Sequence, residues 1–159
     1  MKWIIDMEWY TVRGDIYPIE IALLNVDASE CFVHYIYYPD HLMHRTLTTQ
    51  YQFKRHGIRF GDGYESLSSA MISISHLLQN DDVIYVKGLE KTIVMRGWFP
   101  AKTLHVCEIR NAPSILTFES CKNEVCHRHT HDLSLCCARR KVWQLLPYVM
   151  MSINEEESL

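Results

Sequence analysis

The spacing of apolar positions changes character along this chain, from strand-like at the start, to helical, to an alternation of the two. Three β-rich runs come first: KWIIDMEWYTV (2–12), PIEIALLNVD (18–27) and CFVHYIYYP (31–39). Short connectors containing Gly14-Asp15 and Asp27-Ala28 join them, which predicts an antiparallel meander. A polar stretch bearing His and Arg follows from 40 to 63 and closes on the turn signal GDG, so it reads as a long loop. Loops of that length in a compact domain are often functional.

The helical period then sets in. Leu67, Met71, Ile74, Leu77 and Leu78 predict an amphipathic helix over 64–80. DVIYVKG (82–88) has strand length, LEKTIVMRGWF (89–99) suits a short helix, and TLHVCEI (103–109) is another strand. Leu135, Ala138, Val142, Leu145, Leu146 and Val149 share one face of a last helix from about 133 to 151. The order β-β-β-α-β-α-β-α predicts an α/β fold: a mixed sheet in which a three-strand antiparallel meander is joined to parallel strands, with helices on its faces.

Length fits a single domain over 1–151, followed by an acidic disordered tail over 152–159. The net charge of -3 provides no overall basic field, so a nucleic-acid partner would have to be held by local patches. Asp6 and Glu8 interrupt the first apolar run where a signal peptide would need continuity, and no stretch reaches membrane-spanning length. The expectation is an intracellular protein, cytoplasmic or nuclear, without a membrane partner. Its six Cys are then reduced thiols, and four of them fall between 121 and 137, which favours metal binding over disulfides.

The densest chemistry is CHRHTHDLSLCCARRKVW (126–143), with three Cys, three His and an Asp in its first twelve residues. Cys126 and His129 have the spacing of a pair that wraps one metal ion. Asp132 is also a candidate N-cap for the last helix. Asp6 and Glu8 alternate along a strand and therefore share a face, as joint metal coordination requires. FKRHGIRF (53–60) interleaves Lys54, Arg55, His56 and Arg59 with Phe53 and Phe60, a combination suited to phosphate contact and base stacking. Arg139, Arg140 and Lys141 add a second cationic group.

The element order, with Asp6 and Glu8 in the first strand and Glu20 in the second, resembles the RNase H-like fold of DEDD-type 3′–5′ exonucleases. The resemblance implies that an active enzyme would hold two Mg²⁺ or Mn²⁺ ions on Asp6, Glu8 and Asp132, with His127 as general base, since His127 and Asp132 match that family's His-x-x-x-x-Asp. Two cations need several carboxylates to hold them. Here VKGLEKTIVM offers Lys91, with Glu90 beside it, where a further acid belongs, so no catalytic set is favoured.

The chain also resembles the Maelstrom-type domain, an RNase H-like relative of those exonucleases that carries a Glu-Cys-His-Cys zinc constellation. The matching residues are Glu20 in YPIEIALL, Cys126 and His129 in CHRH, and Cys136 or Cys137 before ARRKVW, with Cys137 preferred. The resemblance implies a structural Zn²⁺ with four protein ligands, tying the last helix to the sheet and leaving no open position for water. It also implies a catalytically degenerate domain that binds RNA or a protein partner in a small-RNA (piRNA-type) silencing complex. An active metal-dependent nuclease and a pure protein-interaction module are the alternatives.

Overall fold

The meander forms as predicted. β1 (Lys2–Val12) pairs antiparallel with β2 (Asp15–Asn25), and β2 with β3 (Glu30–Tyr35), in a computed structural model that describes residues 1–113 and 137–159. Arg13 and Gly14 both take left-handed backbone, φ 52° and 82°, the two-residue connection whose twist suits a hairpin. β4 (Val83–Lys87) lies parallel to β1, and β5 (His105–Ile109) parallel to β4. The sheet is therefore mixed and five-stranded, in the order β3-β2-β1-β4-β5.

Alternation along β1 sends Trp3, Ile5 and Met7 to one face and Ile4, Asp6 and Glu8 to the other. The first face packs on Ala70 and Ile74 of α2 (Leu67–Leu77) and on Met95 of α3 (Leu89–Trp98). Ile4, Ala22, Leu24 and Tyr85 on the second face lie under Val142, Leu145 and Val149 of α4 (Ala138–Glu157). Apolar packing thus covers one end of that face, and the acids occupy the other.

Two expectations change. The stretch 40–63 is not a loop: α1 (Leu47–His56) runs through it, between 3₁₀ turns at Asp40–Leu42 and Phe60–Asp62. Thr46 caps α1 by accepting the Thr49 amide, and Gly57 closes it in a left-handed conformation. Its inward face is polar, which hid it from an apolar count. Gln52 accepts the Thr11 amide at 2.8 Å, and buried His56 bonds the Trp9 carbonyl at 3.3 Å. β4 pairs with β1 only over Lys2–Ile4, so α1 satisfies backbone groups that β1 would otherwise leave open.

The second change concerns the end of the chain. α4 continues to Glu157, through 152–157 where a disordered tail was expected, and Ile153 is buried against the sheet. The expected helix start at 133 lies outside the described residues. The N-cap position is Cys137, and the Ala138 amide is accepted by Glu20, the capping role expected of Asp132.

Candidate functional site

Pairing between β1 and β2 is interrupted by a register shift directly after Glu8, so Glu8 faces Glu20 while Trp9 faces Pro18. Asp6, Glu8 and Glu20 therefore share one face of neighbouring strands. All three are buried, at 1%, 4% and 0% exposure. Like charges so close would repel unless each were compensated.

Each carboxylate has its own nitrogen partner. Lys91, from the first turn of α3, reaches Asp6 Oδ1 at 2.8 Å, with its Nζ 5.9 Å from the centre of the Trp9 ring. Lys141, from the first turn of α4, reaches Glu8 Oε1 at 2.8 Å. The Ala138 amide donates to Glu20 Oε1 at 2.5 Å, where the positive end of α4 favours an anion. Asp6 Oδ2 is buried with no hydrogen-bond partner among the described residues.

The titration behaviour follows from this arrangement. Burial pushes the Glu8 carboxyl up, but Lys141, Lys91 and Arg55 outweigh it and bring its pKa down to about 2. Lys87 shares the face from β4. Burial first, and then the ammonium of Lys141, lower its pKa, with Asp6 opposing.

These groups line a cleft of about 910 Å³ bounded by β1, α1 and the first turns of α3 and α4. Among the described residues that line it, five cations, Arg55, Lys87, Lys91, Arg140 and Lys141, face three acids, Asp6, Glu8 and Glu90, an excess of two positive charges on a chain of net charge -3. Divalent ions bound by Asp6 and Glu8 would have to sit where the two ammonium groups already do. The charge balance of these described residues favours an anion.

Of the four residues matched to a zinc constellation, Glu20 and Cys137 are described, and they meet. Cys137 Sγ lies 3.8 Å from Glu20 Oε2 with both side chains buried. Tetrahedral zinc with oxygen and sulfur at about 2.0 and 2.3 Å would set them on the order of 3.5 Å apart, so the pair fits such an ion. Cys126, His127, His129, Asp132 and Cys136 lie outside the described residues. Among the described residues no three His, Cys, Asp or Glu form a metal-sized cluster.

The basic candidates separate. Arg55 and Arg140 line the lysine-filled cleft, although Arg140 is 5% exposed and so lies deep in it. Lys54 and Arg59 line a second hollow, and Arg139 lines neither. His56 and Phe60 are both buried and have partners within the fold. His56 Nδ1 accepts the Ile58 amide, and Phe60 packs edge-on against Tyr10 in the core. Sequence reasoning missed Lys87 altogether and gave Lys141 no partner. Its bond to Glu8 spans 133 residues, and no local pattern signals it.

No family model matches the chain, and no curated protein matches it at a significant level.

Proposed function

We propose that this chain is a catalytically degenerate RNase H-like domain, clasped by a structural zinc, that binds single-stranded RNA in its lysine-filled cleft and serves a small-RNA (piRNA-type) silencing complex. The β3-β2-β1-β4-β5 order, with its antiparallel meander and parallel outer pair, supports the RNase H-like reading. So does an acid pair on β1 beside a glutamate on β2. The approach of Cys137 to Glu20 supports the zinc clasp, with Cys126 and His129 as its other ligands.

The observation that carries the functional reading is the pair of ion bridges Lys91–Asp6 and Lys141–Glu8. The same two lysines that neutralise the acids add to a positive cleft that attracts a phosphate backbone, with Tyr51 exposed at its edge for a base. Metal-dependent cleavage loses its ligands while affinity for the polyanion remains.

Fluorescence anisotropy with a labelled RNA of about twelve nucleotides tests this. Affinity falls as salt rises, and Arg55→Ala, an exposed change, weakens it and makes the salt slope shallower by about 0.7. No saturable binding, or an Arg55→Ala variant that binds like the wild type, would refute the RNA reading.

A further inference from the structure

On the far side of α1 from the lysine-filled cleft lies a second hollow of about 750 Å³. α1 is the wall between the two: Tyr51, Gln52 and Arg55 face the first, and Gln50, Phe53 and Lys54 face the second. Successive helical residues are turned by about 100°, which is why the sequence neighbours Lys54 and Arg55 serve different sides.

The second hollow combines two chemistries. Among the described residues that line it, Arg45, Lys54 and Arg59 set three cations against Asp40, with Asp62 near enough to act on Tyr10. Phe53 presents an aromatic face at 39% exposure, above a floor made by the Tyr10–Phe60 pair, whose ring centres are 5.2 Å apart. A planar base with a phosphate beside it satisfies both.

We infer that a single-stranded nucleic acid held in the lysine-filled cleft crosses α1 and seats a further nucleotide in this second hollow, its base on Phe53 and its phosphates on Lys54 and Arg59. The inference rests on the RNA reading above and adds a path and a minimum length to it. A helix with side chains is about 10–12 Å across, and a stacked strand advances about 3.4 Å per nucleotide. Bridging the two hollows therefore takes about three or four nucleotides beyond those held in the first.

The test compares a tetranucleotide with a strand of about twelve nucleotides, as RNA and as DNA, on the full chain and on the triple variant Phe53→Ala, Lys54→Ala, Arg59→Ala. All three positions are exposed, so the fold tolerates the changes. The wild type binds the longer strand about tenfold or more tightly than the tetranucleotide. The triple variant loses about tenfold on the longer strand, as RNA and DNA alike, and its salt slope becomes shallower by about 1.4, the effect of two phosphate contacts. Its affinity for the tetranucleotide stays within about twofold of the wild type.

An unchanged affinity and slope for the longer strand in the triple variant would overturn the inference. If Arg55→Ala still weakened binding in that case, the RNA reading itself would stand. A loss confined to RNA would contradict a site made for base and phosphate alone. Polyglutamate displacing the labelled strand as well as unlabelled strand does would assign the hollow to an acidic protein and also overturn it. No binding of either strand would sink both readings.

Discussion

Glu20 and Cys137 stand 117 residues apart in the chain and meet at the start of α4, the thiol Sγ 3.8 Å from the carboxylate Oε2. The same glutamate holds the Ala138 amide through its other oxygen. One side chain of β2 thus fixes where the last helix begins. If Cys126 and His129 complete a zinc clasp there, elemental analysis of the purified chain finds about one zinc. Glu20→Ala and Cys137→Ser each lose it, and amides in the first turn of α4 exchange faster. Glu20→Ala also strands the Ala138 amide, at about 1–3 kcal/mol. A wild-type chain without zinc would contradict the clasp.

Glu8 sets an acid limit on stability. Its pKa is about 2 in the fold against an ordinary 4.5, because Lys141, Lys91 and Arg55 outweigh the effect of burial. A carboxyl depressed by folding stabilises above its unfolded pKa, and the gain disappears as pH falls from about 4.5 toward 2. The size is on the order of 3 kcal/mol. Urea unfolding at a series of pH values checks this. Glu8→Gln removes most of the dependence in that window, and an identical pH profile in the variant would refute it.

Lys141 and Glu8 depend on each other across the sheet–helix interface. Lys141→Met takes from a buried carboxylate its hydrogen-bonded cation and costs about 3–5 kcal/mol. Adding Glu8→Gln to that variant recovers much of the loss, since position 8 then carries no charge that needs a partner. A double-mutant cycle by chemical denaturation measures the coupling. Additive losses would mean that the ion pair is not coupled.

α1 is held to β1 by side chains rather than by an apolar seam. Gln52 bonds both the amide and the hydroxyl of Thr11, at 2.8 and 3.1 Å. Gln52→Ala leaves that amide without its acceptor, at about 1–3 kcal/mol. Hydrogen exchange at Thr11 speeds up as α1 loosens, and unchanged protection would contradict this docking.

The contrast between α1 and the other elements shows what one sequence discloses. β1 is legible to its ends, and α2, β4, α3 and β5 are legible within a few residues, because each buries an apolar stripe or run. α1 buries Thr49 and His56, so hydrophobic periodicity is silent over it. Thr46 and Gly57, its capping residues, were the available signal. At the site, Asp6 and Glu8 could be nominated from strand alternation, and Glu20 from the resemblance to a zinc-bearing domain. Their partners could not, because Lys91 and Lys141 lie 85 and 133 residues from the acids they neutralise and meet them only through packing. The resemblance set Lys91 in an acid's place, but nothing local pairs it with Asp6 or Lys141 with Glu8.

The proposal that the chain is a binding domain and not a nuclease rests on those two lysines. The most direct measurement is to incubate the full chain with end-labelled single-stranded RNA in Mg²⁺ or Mn²⁺, following bound fraction and strand length together. The strand binds and stays intact, and Asp6→Asn changes neither its length nor the need for low salt. Shortening of the strand by the wild type, lost in Asp6→Asn, would contradict a cleft in which lysines have taken the place of the metal ions.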